Sequence, residues 1–361
     1  MLKYENICNK QLRYSFLPAF QDEELAFFDI ETTGFSADIS SVYLIGMTRL
    51  TDGVWNTVQW FADDYVSEEA ILHEFFNTLR SYKALVHYNG SGFDIPYLLK
   101  KCRQYNLEYN FDKVESIDIY KKILPFKKCL GYDNLKLKTV EQALKIHRND
   151  GYDGGELIEV YSRYIKNKFM RSGDQEQLLP TLLLHNREDV EDLLDIAVLL
   201  SCTDFFCTPA KISDISYENR QLFIRLPLPG ILAGRPQLDR NGIVLSFHTD
   251  CACLTVPAIE GELKYFYPNY KEYYYLPEED TAVHKSVAAY VDRQYREKAK
   301  ASTCYIKKSG KYLPQYKELI TPSFYPEWKS KPAYFELTDK LLQDSSFPAR
   351  YVSHILAVLL S

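Results

Sequence analysis

The sequence predicts an α/β protein in which a mixed β-sheet flanked by helices is followed by a smaller, β-rich α+β domain. An apolar strand at Leu25 to Glu31 delivers two carboxylates to one face of the sheet. Strand and helix patterns then alternate as far as about residue 200. Beyond residue 205 the pattern changes to short strands in a tyrosine-rich sequence. We therefore expect one domain at residues 1–204, which includes an N-terminal arm, and a second at residues 205–361.

Length and composition agree with two ordinary globular domains. The chain has 361 residues, of which 46% are hydrophobic and 25% charged, and this length exceeds what one core usually holds. No apolar run approaches the roughly 18–20 residues that span a bilayer. The first residues lack a basic-then-apolar signal pattern, so we expect a cytoplasmic protein without a membrane partner. Eight scattered cysteines form no Cys-x-x-Cys pair and are expected to be reduced thiols.

The first part of the chain contains five predicted strands and several predicted helices. After the arm at residues 1–22, the strands are expected at Leu25 to Glu31, Asp38 to Arg49, Val54 to Phe61, Ala84 to Tyr88 and Glu115 to Asp118. Helices are expected after a cap at Ser67, from about Asp94, at Ile119 to Leu124, after Asn134 to Glu141, at Glu156 to Phe169 and at Gln175 to Leu200.

The first strand ends in a pair of carboxylates, Asp29 and Glu31. Side chains two residues apart on a strand share a face, so both point the same way. Two like charges on one face are costly without a cation, and oxygen ligands suit Mg²⁺ or Mn²⁺ better than Zn²⁺. Thr32 and Thr33 precede Gly34 in a turn whose hydroxyls and backbone donors could hold a phosphate. The alternative is a polar strand end that faces solvent.

The fourth predicted strand runs into the turn Asn89-Gly90-Ser91-Gly92 and a new helix. Asp94 stands at the start of this helix, where Pro96 is tolerated in the first turn. An isolated aspartate before a helix is commonly an N-cap. The functional alternative is that the turn places a third carboxylate near the carboxyl end of the sheet.

The predicted helix at Gln175 to Leu200 carries a histidine and an aspartate on one side. Its core face includes Leu182, Asn186 and Val190. His185 and Asp189 are four residues apart, which is one helical turn. Both could equally be surface residues among the neighbouring charged side chains.

The acidic residues occur in the order Asp29, Glu31, Asp94 and Asp189, and this order resembles the DEDD family of ribonuclease H-like 3'-to-5' exonucleases. Asp29-Ile30-Glu31-Thr32-Thr33-Gly34 is similar to the first exonuclease motif, Asn89 to Leu98 to the second, and His185 to Val190 to the third. Within that group the chain is most similar to the YprB-type ribonuclease H-like domains. The resemblance covers about residues 22–200.

This resemblance implies a metal-dependent nuclease. The four carboxylates would ligate two divalent ions, Mg²⁺ or Mn²⁺, about 4 Å apart, one activating a water and the other stabilising the leaving oxygen. His185 would be a general base or would orient the attacking water. Asn89 and Phe93 would contact the terminal nucleotide, and Thr32 and Thr33 would bind substrate. The polymer would be single-stranded or frayed DNA or RNA.

The chain departs from the family pattern at His185. A histidine stands at the spacing of the tyrosine subgroup, four residues before the last aspartate, whereas the histidine subgroup has five. The subgroup and the role of His185 therefore stay open. A non-catalytic nucleic-acid-binding module with the same fold is the main alternative, and a structural protein with an incidental acidic cluster is another.

Charge differs between the two expected domains. Residues 1–204 hold 23 Lys and Arg against 32 Asp and Glu, whereas the remainder holds 20 against 17. This partition is compatible with a nuclease that grips its substrate through the second part, although two unrelated solvated surfaces would give the same balance.

The second part carries no recognised catalytic signature. Strands are expected at Gln221 to Leu226, Gly242 to Phe247, Ala252 to Pro257 and Glu262 to Tyr267, a helix at Ser286 to Lys300, a basic hairpin at Tyr305 to Tyr312 and a closing helix within Leu341 to Leu360. The tyrosines between Tyr265 and Tyr275 admit base stacking, although packing is the commoner role of such a cluster. We hypothesise that this domain positions substrate through Lys307, Lys308 and Lys311.

Overall fold

A computed structural model describes residues 1–171, 175–208, 210–228, 237–248, 250–344 and 346–361. The chain forms two compact units, which divide between Asp204 and Phe205. No helix in the described ranges is both long enough and apolar enough to cross a membrane. All eight cysteines are free thiols.

The first unit is built on a six-stranded sheet flanked by helices. Its strands are β1 (Leu2–Ile7), β2 (Leu25–Thr32), β3 (Val42–Thr51), β4 (Val54–Phe61), β5 (Ala84–His87) and β6 (Glu115–Asp118). Its helices are α1 (Glu68–Leu79), α2 (Asp94–Gln104), α3 (Ile119–Ile123), α4 (Lys127–Leu130), α5 (Leu137–Ala143), α6 (Gly154–Met170) and α7 (Gln175–Ile196), and α8 (Leu200–Cys207) follows.

The sheet order is β1-β4-β3-β2-β5-β6. Strand β2 pairs antiparallel with β3 and parallel with β5, and β5 pairs parallel with β6. The carboxyl ends of β2 and β5 therefore lie at the same edge of the sheet. Because β2 is central, its side chains are covered on both faces, and Phe27 and Phe28 are fully buried. This is the mixed sheet with flanking helices that the sequence predicts.

One local prediction in the first unit is wrong, and a second holds only in part. The N-terminal arm begins with a strand, because residues 2–7 alternate between half-buried and exposed side chains and pair with β4 at the sheet edge. Ser67 occupies the N-cap position of α1, as predicted, but its side chain makes no capping hydrogen bond. Its hydroxyl instead donates to Asp64 Oδ1 at 2.7 Å, which satisfies it outside the helix.

In the residues that the structure describes, the second unit contains three antiparallel sheets. Their strands are β7 (Asp214–Glu218), β8 (Gln221–Pro227), β9 (Gln237–Arg240), β10 (Ile243–Phe247), β11 (Cys251–Pro257), β12 (Ile259–Phe266), β13 (Tyr273–Leu276), β14 (Thr281–His284), β15 (Glu297–Lys298), β16 (Tyr305–Gln315) and β17 (Ala333–Glu336). The orders are β7-β8-β11-β10-β9, β12-β16-β17 and β14-β13-β15. The helices are α9 (Lys285–Ala288), α10 (Asp339–Gln343) and α11 (Phe347–Leu360). The predicted β-rich α+β architecture is confirmed.

Two predictions in this unit are wrong. The helix expected at Ser286 to Lys300 is one turn, α9, and the chain then returns to strand β15. Val287 and Tyr290, two of the apolar side chains of this segment, are exposed and therefore do not anchor a longer helix to the core. The expected basic hairpin at Tyr305 to Tyr312 is part of the single strand β16, which pairs with β12 on one side and β17 on the other.

Candidate metal centre

Strand β2 brings Asp29 and Glu31 to the carboxyl edge of the sheet. Asp29 lies opposite Gly46 of β3 and Glu31 opposite Leu44, and the register shifts between Glu31 and Thr32. The shift interrupts regular pairing immediately after the second carboxylate. Glu31 is buried, so its charge is costly unless a cation accompanies it.

Asp94 reaches the same strand from the first turn of α2. Its Oδ1 accepts a hydrogen bond from the backbone N–H of Ile30, between the two acidic residues, at 3.3 Å. Its side chain is buried. Phe93, not Asp94, occupies the N-cap position. The structure thus brings the third predicted carboxylate beside the first two.

Two buried side chains, Asp118 and His87, hold the turn before α2 through hydrogen bonds to its backbone. Asp118, at the end of β6, accepts hydrogen bonds from the backbone N–H groups of Asn89 at 3.0 Å and Ser91 at 3.3 Å. His87 Nδ1 accepts from the N–H of Gly90 at 3.0 Å. A Cβ at Gly90 would lie 2.8 Å from the His87 ring, so only glycine fits here. These contacts place Asp94.

Helix α7 approaches β3 closely enough to bring His185 and Asp189 to the carboxylates. A Cβ at Gly46 would lie 2.2 Å from Asn186 Oδ1 and 2.9 Å from a Val190 methyl carbon. Asn186 is fully buried and its Oδ1 accepts from Gln59 Nε2 at 3.0 Å. The Asn186 amide also donates to Asp29, to the backbone oxygen and to Oδ2, each at 3.4 Å. Asn186 therefore docks the helix and touches the site.

Glu31, His185 and Asp189 form a group whose ligand atoms all lie within 4.8 Å of one another. His185 Nε2 is 3.7 Å from Glu31 Oε1 and 3.4 Å from Asp189 Oδ2. The histidine is buried, and its Nε2 faces the carboxylates. The spacing of four residues in α7 thus puts the imidazole and the carboxylate on the same side.

Asp150 orients His185 from the opposite side of the ring. Asp150 Oδ2 lies 2.6 Å from His185 Nδ1 and is its hydrogen-bond acceptor. Burial opposes the charge of this carboxylate, yet the Tyr152 N–H and His185 lower the pKa of Asp150 below its usual range. An anionic Asp150 selects the tautomer with the proton on Nδ1, which leaves the Nε2 lone pair facing the carboxylates.

Arg148 ties the loop after α5 to α7. Its guanidinium donates to Glu141 at 2.8 Å and to Asp189 Oδ1, and it lies 3.4 Å from Asp150 Oδ2. Burial works against its charge, but Asp189 and Glu141 raise the pKa of Arg148 above its usual value. Asp189 consequently presents one oxygen to Arg148 and the other to His185.

The carboxylates repel one another strongly. Burial, then repulsion from Asp94, Asp189 and Glu31, raises the pKa of Asp29 well above its usual range. Burial, then Asp189 and Asp94, does the same to the pKa of Glu31. Burial raises the pKa of Asp94 to about 7.

The donor set fits divalent cations. Across the described ranges, no Lys or Arg lies within 4.0 Å of the carboxylates of Asp29, Glu31 or Asp94. A buried group of oxygen ligands without a protein cation suits Mg²⁺ or Mn²⁺, which bind carboxylate oxygens. Burial and then mutual repulsion raise the pKa values of these side chains, and a bound ion would offset both effects.

Thr32 is the last residue of β2, and Thr33 begins the turn that follows. Thr32 donates from its hydroxyl to the Gly34 carbonyl at 3.0 Å, and the Thr33 hydroxyl accepts from the Ser41 N–H at 2.9 Å. Both hydroxyls thus have local partners, and their predicted contact with substrate stays a prediction.

Asn89 and Phe93 face the outside of the turn before α2. Asn89 has a left-handed φ of 62° and an exposed side chain, a conformation that asparagine tolerates better than most residues. Phe93 is half-buried, and its ring centroid lies 6.4 Å from that of Phe35. Phe35 is 92% exposed. The sequence reasoning missed Phe35, although an aromatic side chain directly after a glycine turn is a visible signal.

Four further residues of the site were given no role in it by the sequence: Gly46, Arg148, Asp150 and Asn186. Asn186 was predicted at a core position, and a polar residue there must find partners, which was an available signal. Arg148 and Asp150 lie in a polar loop that only the tertiary fold brings to α7. Gly46 carries no chemistry of its own, so nothing in the sequence marked it.

Comparison with known proteins defines the class of the first unit. Residues 26–201 match the family model of the ribonuclease H superfamily. This match agrees with the family resemblance of the sequence motifs, and the mixed sheet with flanking helices in this segment is a ribonuclease H-like fold.

Among solved structures, the chain is similar to the family B DNA polymerase from the hyperthermophilic archaeon Pyrobaculum calidifontis. The identity is 13% and the TM-score 0.37, over 66% of this chain and 33% of that chain. The chain thus spans about a third of the length of that polymerase. No curated protein matches this sequence.

Proposed function

We propose that this protein is a metal-dependent nuclease that removes nucleotides from the 3' end of single-stranded or frayed DNA or RNA. The observation that supports the proposal is the convergence of Asp29, Glu31, Asp94 and Asp189 from the end of strand β2 and from helices α2 and α7 in a ribonuclease H-like fold. A protein that only binds nucleic acid has no need for four mutually repelling carboxylates, of which Glu31 and Asp94 are buried.

The proposed site contains a separate group for each task. Asp29, Glu31, Asp94 and Asp189 would hold two divalent ions, Mg²⁺ or Mn²⁺. Such ions, when bound, polarise the scissile phosphate and lower the pKa of the attacking water.

His185 would remove a proton from the attacking water through Nε2, or orient that water. Asp150 holds its Nδ1–H, so the lone pair on Nε2 faces the site. Asn89, Phe93 and Phe35 lie at the exposed edge, where we propose that they contact the terminal nucleotide. Thr32 and Thr33 would then bind its phosphate beside the metal.

One observation favours a second candidate, a catalytically inactive nucleic-acid-binding module. Arg148 already donates to Asp189 Oδ1, so one oxygen of a proposed ligand carries a cationic partner. If this contact persists, Asp189 offers only one oxygen to a metal.

The test is hydrolysis of 5'-labelled single-stranded DNA and RNA with Mn²⁺. We expect the wild-type protein to give a ladder of shortened labelled products, and Asp29→Asn and Asp189→Asn to abolish it. Asp112→Asn, an exposed aspartate of the same unit, removes one charge elsewhere and should leave the ladder unchanged. An absence of cleavage by the wild type, with binding retained, would favour the binding module. A ladder that persists in both site variants would refute the metal site.

A further inference from the structure

The second unit contains a large aromatic cavity between the end of β12, the end of β16 and the segment 323–333. Its volume is about 1020 Å³, which exceeds what one nucleotide or drug-sized ligand requires. Phe266, Tyr325 and Trp328 form part of its wall. The Phe266 and Trp328 ring centroids are 5.0 Å apart, and those of Phe266 and Tyr325 are 6.2 Å apart.

Hydrogen bonds hold the segments that flank the aromatic rings. The buried Gln315 side chain accepts from the backbone N–H groups of Leu319 and Ile320 and donates to Ser323 Oγ at 3.0 Å. The turn that presents Trp328 is closed by a hydrogen bond from the Ser330 N–H to the Glu327 carbonyl at 3.1 Å. This cavity is therefore preformed, which reduces the entropic cost of binding.

The rim of the cavity is positively charged. Lys317, Lys329 and Lys331 line it and are exposed, and none of the three has an ion-pair partner among the described residues. Glu318 is the one acidic side chain in the lining. Glu327, on the neighbouring turn, is paired with Lys264 at 2.7 Å.

The lysines that the sequence suggested for substrate positioning, Lys307, Lys308 and Lys311, are not among the residues that line this cavity. Lys307 pairs with Asp280 and Lys308 with Glu336, each at 2.5 Å. Lys311 lies over the Tyr217 ring at 4.7 Å. These three cations already have partners, whereas those at the cavity do not.

We propose that this cavity binds single-stranded nucleic acid, with bases stacked on Trp328 and Phe266 and phosphates held by Lys317, Lys329 and Lys331. Unpaired bases stack on aromatic rings, and exposed lysines neutralise the phosphates of the same strand. A site for an apolar ligand would not need three lysines without ion-pair partners at its rim. The choice of polymer rests on the proposed nuclease function, whereas the site itself rests on the cavity.

Trp328 makes the site directly measurable. The chain has three tryptophans; Trp55 and Trp60 are buried in the first unit, whereas Trp328 is 39% exposed. The probes are twelve-nucleotide oligo(dT) and oligo(U), added to the full chain carrying Asp29→Asn in EDTA, so that no hydrolysis occurs. We expect saturable quenching of tryptophan fluorescence, and we expect Trp328→Phe to abolish that quenching while labelled oligonucleotide still binds.

The charge requirement is tested by anisotropy with the labelled oligonucleotides. Replacing Lys317, Lys329 and Lys331 together by alanine should weaken binding at least about tenfold at low salt. It should also reduce the slope of log affinity against log salt by about 2, since each phosphate contact in a single strand contributes about 0.7. The matched control replaces Lys298, Lys340 and Arg350, which are exposed cations of the same unit, by alanine. It should change both quantities much less.

The outcomes separate the two proposals. Unchanged affinity and salt slope in the Lys317/Lys329/Lys331 variant, or an equal loss in its control, would overturn the cavity as the binding site. Binding lost only in the cavity variant would support the site, and it would do so whether or not the wild type hydrolyses nucleic acid with Mn²⁺.

Discussion

At the residue scale, His185 depends on Asp150 for its orientation. The imidazole is held on one side by the Nδ1–Asp150 hydrogen bond and on the other faces Glu31 and Asp189. Nothing else in the described contacts of its side chain fixes the tautomer. Asp150 is thus part of the site, because it determines which nitrogen of His185 carries the proton.

We expect Asp150→Ala to lower kcat by about 10-fold to 100-fold, the usual cost of removing such a supporting partner. KM should change little, because Asp150 lies behind the ring. Asp150→Asn keeps an oxygen acceptor for Nδ1–H and should recover part of kcat. Steady-state hydrolysis of labelled oligonucleotides measures both constants. Equal loss in the two variants, with KM raised, would show that Asp150 only maintains the fold.

Phe35 is a residue whose exposure has no structural reason. It is 92% exposed, and its described aromatic contact is the edge of Phe93. We expect Phe35→Ala to raise KM about fivefold or more through the loss of one stacking contact, with kcat within about twofold. Thermal unfolding should be unchanged. Phe169→Ala, which removes another exposed phenylalanine of the first unit, is the control; if it has the same effect, the Phe35 assignment fails.

At the element scale, the contact between α7 and β3 decides whether the site exists. Gly46→Ala would place a methyl group 2.2 Å from Asn186 Oδ1, so the helix must shift. Overpacking of this kind costs about 1–3 kcal/mol, and the shift would move His185 and Asp189 from Glu31. We expect reduced stability and a large loss of nuclease activity, measured by urea unfolding and hydrolysis.

Gly151→Ala is the matched glycine control, because a Cβ at this position would have no described atom within 4 Å. It should leave the free energy of unfolding within about 0.5 kcal/mol of the wild type, as for most surface substitutions. A Gly46→Ala protein that is as stable and active as this control would contradict the close approach of α7.

We expect the free energy of unfolding to depend on pH through His87, which holds the turn before α2. Burial lowers the pKa of His87 to about 4, whereas the unfolded side chain titrates near 6.5. Between these values the unfolded state binds more protons, so this histidine makes stability rise with pH from about 4 to about 6.5. The contribution lost on acidification is about 3 kcal/mol at most.

His87→Asn keeps an acceptor for the Gly90 N–H and removes the titration. The difference in the free energy of unfolding between wild type and this variant should therefore shrink as the pH falls from about 6.5 to about 4. Urea unfolding at several pH values measures it. A constant difference would show that His87 does not titrate on unfolding.

Some elements of this fold could be predicted from the sequence, and others could not. The strand at Leu25 and the helix at Gln175 were predictable because their apolar patterns are long and buried, and both are found. The helix predicted from Ser286 was wrong because helix-forming residues alone do not supply a buried face. Asp150 could not be predicted, since its partner is 35 residues away and only the tertiary fold joins them.

At the scale of the whole molecule, charge is distributed unequally between the two units. The acidic first unit holds 23 Lys and Arg against 32 Asp and Glu, and several of its carboxylates are buried together. A polyanionic substrate is therefore repelled unless cations are supplied. Metal ions bound at the carboxylates would supply positive charge in the first unit. The lysines around the cavity would supply it in the second unit.

Metal binding should accordingly stabilise the molecule in a pH-dependent manner. Folding raises the pKa of Asp29 and Glu31, and that of Asp94 to about 7. Without metal, the stability from these protonated groups is present below about pH 4 and is lost as the pH rises through the raised values. Mn²⁺ would replace the protons and remove the repulsion. We expect the increase in Tm caused by Mn²⁺ to grow from pH 5 to pH 8.

Trp328→Phe allows this measurement to report on the first unit, since Trp55 and Trp60 are both buried there. Fluorescence-detected unfolding of this variant with Mn²⁺ or EDTA gives the shift in Tm at each pH. Adding Asp29→Asn removes one ligand charge and should reduce the shift and its pH dependence. A shift of equal size at pH 5 and pH 8, or one unaffected by Asp29→Asn, would mean that Mn²⁺ binds elsewhere and that the buried carboxylates are not its ligands.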